Sequence, residues 1–268
     1  MKTNYHSHTS RCFHATGEDE QYVLEAIKNN YDVIGFSDHM PVPGIEVEPG
    51  FKARMGYSKR SEYVKSVLSL KEKYKDKIDI LLAYECEYFE ELDSYYEELL
   101  NNEADYLIFG NHFMYYKENE YITNINEEIG SLKYLKQYEE KAIKAIKSGY
   151  FKIMAHPDFY LKFCGFTKES RDCAYNICKA AKEMNVYLEI NEMCFRRDGK
   201  TLIDNEVRYG YPTRFFFEIA KEVGNKFIIG VDAHNPEDYS SKSHQMAIDF
   251  AKEMCLNVED YVVFENSY

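Results

Sequence analysis

Seven short apolar segments recur along this chain, and each one ends at or just before a residue that can bind a metal ion. The segments are rich in Ile, Val, Phe and Tyr and are nearly continuous in apolar character, which is typical of parallel strands covered on both faces. The predicted strands are Asn4–His8, Asp32–Asp38, Ile78–Glu87, Tyr106–Asn111, Phe151–His156, Val186–Glu192 and Lys226–Asp232.

Longer segments with helical spacing of their apolar residues alternate with these strands. The predicted helices are Glu18–Asn29, Ser58–Lys75, Glu90–Leu100, Leu132–Ser148, Lys168–Met184, Thr213–Val223 and Ser243–Met254. Gly149 and Gly224 follow two of them, where helix C-caps are expected. This alternation predicts an α/β fold, either a barrel or a doubly wound sheet, and a length of 268 residues suits a single domain over residues 1–268.

The ionisable residues concentrate at the C-terminal ends of the predicted strands. They are His6, His8, Asp38, His39, Glu85, Glu87, His112, His156, Asp158, Glu189, Glu192, Asp232 and His234. In parallel α/β folds the βα loops converge at this end, so these side chains are expected to meet. A lone histidine is usually a packing or surface residue, and we expect this of His244. The other seven of the eight histidines lie at strand ends or in adjoining loops, which favours a shared site.

The spacing of these residues indicates metal binding. His6 and His8 are two residues apart on a strand, so their side chains point to the same side and can bind one ion. Imidazole and carboxylate ligands suit zinc, manganese and iron. Asp232 and His234 repeat this spacing on the last strand. If the sheet closes into a barrel, that pair is expected beside His6 and His8.

Composition restricts the class of partner. The net charge of −13 disfavours nucleic-acid binding, although metal ions can make one pocket attractive to a small phosphorylated substrate. Seven cysteines, with no C-x-x-C spacing, do not form a disulfide framework. We find neither an apolar signal region nor a run of about 18 apolar residues, so we expect a cytoplasmic protein that does not cross a membrane. The sequence leaves the oligomeric state open.

Several motifs occur in a recognisable order. They are His6-Ser7-His8-Thr9, Cys12-Phe13-His14-Ala15, Ser37-Asp38-His39, Glu85-Cys86-Glu87, Gly110-Asn111-His112-Phe113, Ala155-His156-Pro157-Asp158, Leu188-Glu189-Ile190-Asn191 and Asp232-Ala233-His234-Asn235-Pro236-Glu237-Asp238. Together they resemble the PHP (polymerase and histidinol phosphatase) family over essentially the whole chain. The Cys12–Ala15 and Glu189–Asn191 segments and Tyr211-Pro212 resemble its histidinol-phosphatase branch.

The resemblance implies a distorted (β/α)7 TIM-like barrel with a trinuclear centre at the C-terminal ends of the strands. It implies two or three divalent ions of zinc, manganese or iron, bound by three sets of ligands. The sets are His6, His8, Glu85 and Asp232; Glu85, His112 and His156; and His14, His39 and His234. Glu87 is expected either to support a ligand or to face the substrate, and Asp38 to orient His39. Cys12 is expected to be a packing residue.

The function implied is a metal-dependent phosphatase, most directly one that converts histidinol phosphate to histidinol and phosphate in histidine biosynthesis. A hydroxide between two ions would attack phosphorus in line with the leaving oxygen. Asp232 and His234 are candidate catalytic residues. Arg197 is a candidate phosphate clamp, as are Arg196 and Arg11. Asp158 is an alternative donor of the proton that the leaving oxygen needs. Residues 192–197 depart from the family pattern, which leaves the natural substrate open.

Two alternatives stay open. The same chemistry could act on another phosphomonoester or a nucleotide. An amidohydrolase-type, metal-dependent hydrolase also begins with His-x-His, but it would need a bridging lysine near the fourth strand. The segment Tyr106–His112 contains no lysine, which disfavours the second alternative.

Overall fold

The computed structural model describes residues 1–46, 54–112, 115–117, 120–122, 131–197 and 199–264, with only the backbone described in 115–117 and 120–122. Phe113 of the fifth motif lies outside these residues. The strands are β1 Thr3–Asn4, β2 Val33–Phe36, β3 Asp79–Cys86, β4 Tyr106–Phe109, β5 Tyr115–Lys117, β6 Glu120–Ile122, β7 Ile153–Met154, β8 Tyr187–Asn191, β9 Thr201–Ile203, β10 Glu206–Arg208 and β11 Phe227–Gly230.

Seven of these strands form one parallel sheet in the order β1-β2-β3-β4-β7-β8-β11. The sheet closes where the first and last strands continue into their loops: Ser7 pairs with Ala233 in parallel, and the backbone N–H of His8 donates to Ala233 O at 2.8 Å. The result is a nearly closed barrel rather than a doubly wound sheet. All seven predicted strands are confirmed, and so is the predicted proximity of the first and last strands.

All but one of the described α-helices lie between successive strands of the barrel, and the last one follows β11. They are α1 Asp19–Lys28, α2 Arg60–Tyr74, α3 Asp93–Asn102, α4 Leu132–Ser148, α5 Lys168–Glu183, α6 Met193–Arg196, α7 Arg214–Val223 and α8 Ser243–Glu253. Gly149 and Gly224 end α4 and α7 in the left-handed conformation, with φ of 86° and 82°, as their positions in the sequence predicted. Among the described residues, we find no helix with the length and apolar character that a bilayer span requires.

Two antiparallel hairpins and the short helix α6 were not predicted. The β9–β10 hairpin turns at Asp204 and Asn205, whose φ values are 49° and 65°. Positive φ at both central residues is typical of the tight turns that connect twisted strands, and Asp and Asn tolerate it. The local signal was therefore present, but strands of three residues are too short to show an alternating pattern.

The N-terminal mouth of the barrel is filled by apolar side chains. Its buried residues are Tyr5, Val33, Ala83, Tyr106, Ile108, Ile153, Ala155, Ile228 and Val262. The C-terminal tail, residues 258–264, covers them: the Phe264 ring stacks on Tyr106 at 4.2 Å between centroids, and Val262 N donates to Tyr5 Oη at 2.9 Å. Gly35 makes room for the Tyr106 hydroxyl, because a Cβ there would collide with it. The tail therefore closes the end of the barrel opposite the polar strand ends.

Candidate metal centre

The opposite end of the barrel contains a cavity of about 300 Å³. Among the described residues its lining includes eight of the nine predicted metal ligands, namely His8, His14, His39, Glu85, His112, His156, Asp232 and His234. The ninth, His6, is fully buried and in contact with His8. The structure therefore brings together every residue that the sequence predicted as a ligand, from segments separated by up to 228 positions.

The first predicted ligand set converges on one point. His6 Nε2 and His8 Nε2 are 3.2 Å apart, and Asp232 Oδ1 lies 3.2 Å from His8 Nε2 and 3.6 Å from His6 Nε2. Glu85 Oε2 lies 3.6 Å from both imidazole nitrogens. Ligands bound about 2.1 Å from a common ion lie roughly 3 to 3.5 Å from each other, so these distances suit one cation.

The second set uses the other oxygen of Glu85. Glu85 Oε1 lies 3.2 Å from His156 Nε2 and 3.7 Å from His112 Nε2, and the two imidazole nitrogens are 3.1 Å apart. The Glu85 carboxylate thus faces one cluster with each oxygen, as a bridging ligand must. Gly110 permits this approach, because a Cβ at that position would collide with Glu85.

The third predicted set consists of His14, His39 and His234. The ring of His14 lies 5.3 Å from that of His39 and 4.8 Å from that of His234 between centroids. His39 Nδ1 points to Glu85 Oε2 at 3.0 Å. Cys12 lies beside this set, but burial raises the pKa of its thiol, and Sγ donates to Thr9 O at 3.1 Å. This hydrogen bond and the complete burial of Cys12 fit the packing role expected for it.

Hydrogen bonds outside the cluster orient four of the histidines. Nδ1 of His6 lies 2.8 Å from Glu189 Oε1, and Nδ1 of His112 lies 2.8 Å from Glu87 Oε1. Nδ1 of His14 and His234 lies 2.8 Å and 3.1 Å from the carbonyls of Cys12 and Asp232. Carboxylates and carbonyls only accept here, so each Nδ1 carries a proton and Nε2 is the ring nitrogen left to face a cation.

Glu189 is a site residue to which the sequence analysis assigned no role. Its Oε1 orients His6, and its Oε2 accepts from the backbone N–H of His156 at 2.9 Å and from Asn191 Nδ2 at 2.7 Å. Asn191 Nδ2 also donates to Asp232 Oδ2 at 3.1 Å. One buried carboxylate therefore contacts ligands from two strand ends and is connected through Asn191 to a ligand at a third. The sequence feature that could have identified Glu189 was its position in a strand-end motif with Asn191.

The predicted supporting carboxylates lie behind the ligands. Asp38 Oδ1 accepts from the backbone N–H of His39 at 2.8 Å and lies 3.4 Å from His8 Nδ1, so it supports two histidines. Glu87 is buried against His112 and Lys141. Glu87 was expected either to support a ligand or to face the substrate. Its position behind His112 favours the first role.

The electrostatics of the cluster favour positive charge at its centre. Burial opposes protonation of His8, but Asp232 and Asp38 outweigh it and raise its pKa to about 9. Burial likewise opposes ionisation of Glu85, yet His112 and His6 hold its pKa well below the usual range. Asp232 Oδ1 and His234 Nε2 are buried and have no hydrogen-bond partner among the described residues. This donor set fits divalent cations, which compete with protons for the same nitrogens.

The three candidate arginines differ in position. Arg197 lies in the cavity lining and is exposed. Arg196 points the other way: its Nη2 donates to the carbonyls of Val231 at 2.6 Å and Asp232 at 3.0 Å. Arg11 donates to both oxygens of Asp19 at 2.9 Å. Of the three, the cavity lining contains Arg197 alone among the described residues, and Arg196 supports the backbone beside Asp232.

Asp158 lies behind the cavity rather than in its lining. Its Oδ2 accepts from the backbone N–H of Thr213 at 2.6 Å and from Thr213 Oγ1 at 2.9 Å. Burial raises its pKa to about 7. Thr213 is the N-cap of α7 and follows the Tyr211-Pro212 segment, so Asp158 connects the loop after His156 to a wall of the cavity.

Four further residues complete the cavity wall and were not predicted as site residues: Phe159, Lys162, Met193 and Tyr211. The Phe159 ring lies 5.4 Å from the His156 ring and 5.9 Å from the Tyr211 ring between centroids. Phe159 and Lys162 lie in a four-residue 3-10 helix, Met193 begins α6, and Tyr211 lies in a loop. Such short segments show no apolar periodicity. Tyr211 had been noted only as part of a motif.

Comparison with known proteins agrees with this geometry. The PHP domain family matches residues 4–193. This chain belongs to the PHP family. It is 25% identical over 236 residues to a probable histidinol-phosphatase of Deinococcus radiodurans, covering 86% of this chain and 85% of that protein. The chain is therefore a PHP-family metal-dependent phosphoesterase, a phosphatase-like hydrolase.

Two solved structures share the PHP barrel. Histidinol phosphate phosphatase of Lactococcus lactis, in complex with zinc, L-histidinol and phosphate, has a TM-score of 0.68 and 18% identity, covering 96% of this chain and 95% of that one. The putative histidinol phosphatase of Listeria monocytogenes has a TM-score of 0.66 and 20% identity, covering 88% and 97%. At these identities the similarity shows a common fold.

Proposed function

We propose that this PHP protein hydrolyses a small phosphate monoester and that histidinol phosphate, cleaved to histidinol and phosphate, is its substrate. The observation that carries this is the grouping of four imidazole Nε2 atoms, those of His6, His8, His112 and His156, 3.2 to 3.7 Å from the two oxygens of Glu85 in a cavity. The names of the relatives in Deinococcus and Lactococcus support the choice of substrate.

The proposed centre binds two or three divalent ions, in the three ligand sets described above. Such ions supply Lewis-acid stabilisation of the phosphoryl oxygens and lower the pKa of a bound water. Glu85 would be shared by the first two sets, and in the loop after β11 Asp232 would belong to the first set and His234 to the third. Burial and the neighbouring His8 hold the pKa of His234 well below its usual value, so its ring is neutral and its Nε2 is available.

The remaining wall of the cavity suits the rest of such a substrate. Arg197 and Lys162 bring positive charge to the cavity and, in this proposal, contact the phosphoryl oxygens. Phe159 and Tyr211 provide flat aromatic faces against which an imidazole ring can pack. In this proposal Asp158 acts indirectly, by holding Thr213 and with it the segment that carries Tyr211.

Two carboxylates that could pair with a substrate amine, Glu87 and Glu192, lie away from the cavity. Glu192 is fully buried, accepts from Ser243 Oγ at 2.7 Å and lies 2.8 Å from His244 Nδ1. Glu87 contacts His112. Neither lines the cavity among the described residues, so the proposal rests on the aromatic wall and the metal cluster and not on these carboxylates.

Phosphate release from histidinol phosphate, a sugar phosphate and a nucleoside monophosphate tests the proposal, with protein loaded in turn with zinc, manganese and iron. We expect the highest kcat/KM for histidinol phosphate. Arg197→Met should raise KM by about tenfold, the value of one charge-assisted hydrogen bond. Arg171→Met, at an exposed residue 3.5 Å from Glu222, is the matched control and should leave KM unchanged.

The outcomes separate the two parts of the proposal. A higher kcat/KM for another monoester would overturn histidinol phosphate as the substrate and keep the phosphatase. Absence of phosphate release from all three, by protein that contains metal, would contradict a monoesterase. We also propose that residues 1–268 act as one PHP-type metallophosphoesterase domain.

A further inference from the structure

A buried lysine lies directly behind the metal centre. Lys141 belongs to α4, its side chain is 10% exposed, and its Nζ lies 3.4 Å from Glu87 Oε2 and 4.1 Å from the centre of the Phe89 ring. Lys144, one turn further along the same helix, is 61% exposed. Removing an ammonium group from water is unfavourable, and burial lowers the pKa of Lys141 to about 8 despite its carboxylate partner. We therefore expect a role of Lys141 that offsets the cost of its burial.

The carboxylate that Lys141 contacts is attached to His112 at two points. Glu87 Oε1 lies 2.8 Å from His112 Nδ1, and Glu87 Oε2 accepts from the backbone N–H of His112 at 3.1 Å. The first contact sets the ring tautomer, and the second sets the position of the backbone. Both must be satisfied together for His112 Nε2 to lie 3.1 Å from His156 Nε2.

We propose that Lys141 is a positioning residue for one cation of the centre, the one bound by Glu85, His112 and His156. Its ammonium group holds Glu87 in the orientation in which both carboxylate oxygens reach His112. Glu87 then keeps the His112 ring turned so that Nε2 faces the cluster. This inference rests on the ligand sets of the proposed function, and it adds a residue that contacts Glu87 and Phe89 and is not among the described residues that line the cavity.

The effect of Lys141 should be confined to that cation. His6 depends on Glu189 for its orientation, and His8 lies beside Asp38. Both carboxylates belong to other strand ends and lie in contacts separate from the Lys141–Glu87–His112 series. Loss of Lys141 should therefore lower the affinity for one equivalent of metal. The affinity for the equivalent bound by His6, His8 and Asp232 should not change.

Zinc titration of the metal-free full chain tests this, with a chromophoric chelator as competitor and mass spectrometry for metal content. Lys141→Met should lower the affinity of one zinc equivalent by about tenfold or more, because changes behind metal ligands typically cost 10- to 100-fold. Lys141→Arg should restore part of it. Lys144→Met is the matched control, since it removes only a solvent-exposed ion pair with Glu90, and its titration should match that of the wild type.

A double-mutant cycle with Glu87→Gln separates positioning from a general effect on folding. If Lys141 acts through Glu87, the Lys141→Met change should add nothing to the loss of zinc affinity caused by Glu87→Gln. Additive losses, equal weakening of every equivalent, or a lowered melting temperature with unchanged zinc affinity would each overturn the proposal. If the wild-type chain binds no zinc, the ligand sets themselves are wrong, a result distinct from failure of the lysine proposal.

Discussion

The two ends of the barrel are built by the same strands but differ in chemistry. At the N-terminal mouth, β3 contributes Ala83 and β4 contributes Tyr106 to a packed apolar plug that the tail covers. Two residues further along β3, Glu85 faces the cavity at the other end. Side chains two residues apart on a strand point the same way, so one inward-facing row changes from apolar to ionisable along its length.

This difference implies that the two ends contribute differently to stability and activity. The mouth buries apolar and aromatic surface, which stabilises the fold. The cavity end buries Glu85, Glu189 and Asp232, whose charges are costly unless imidazoles and cations surround them. Substitutions at the two ends should therefore separate the loss of activity from the loss of stability.

The largest effect is expected for Glu85→Gln. An amide keeps the shape of the side chain but loses the charge that faces two ligand clusters, so we expect at least about a 100-fold fall in kcat/KM and a lower metal content. Activity toward histidinol phosphate and metal analysis are the measurements. Activity within tenfold of the wild type would show that Glu85 does not bridge the two sets.

The next effect is at the mouth, where we expect Phe264→Ala to lower the free energy of unfolding by about 2 kcal/mol. This is below the loss for a fully buried Phe, because the ring is half-buried. Chemical denaturation measures it. Val263→Ala, at a neighbouring residue that is 69% exposed, should stay within about 0.5 kcal/mol of the wild type. A lower kcat of Phe264→Ala with an unchanged free energy of unfolding would contradict the assignment of stability to the mouth and activity to the cavity end.

The smallest effect, taken per pH unit, is a pH dependence of stability at Asp158. Because its pKa is about 7 in the fold and 3.8 in a model compound, the folded chain binds a proton that the unfolded chain has released between these values. This contribution to stability is complete below pH ~4 and is lost as pH rises through ~7. Relative to Asp158→Asn, the wild type should lose stability over this range with a slope approaching about 1.4 kcal/mol per pH unit.

Denaturation at several pH values measures this slope, with Asp172→Asn, an exposed carboxylate, as control. Parallel stability curves for wild type and Asp158→Asn would show that burial of Asp158 has no such consequence. A fall in kcat of more than about 100-fold in the same variant would instead support Asp158 as the proton donor.

The barrel strands and the proposed ligands could be predicted because both depend on local pattern. Apolar runs such as 226–232 are long enough to show strand character, and their C-terminal ends converge in any parallel barrel. His6 and His8 share a side of the chain wherever the strand is placed. The alternating strands and helices left barrel and open sheet undecided, and the PHP resemblance favoured the barrel that the structure confirms.

The supporting residues could not be predicted, because their roles depend on how elements dock. Lys141 and Lys144 lie on one helix, and only packing against β3 and its loop, 54 positions away, buries one of them. Arg196 and Arg197 are adjacent in sequence, yet one supports the backbone beside Asp232 and the other lies in the cavity lining. The sequence by itself determined the strands and which side chains reach the C-terminal end of the barrel. Only the tertiary structure decided what stands behind each of them, since contacts between distant segments leave no periodic trace in the chain.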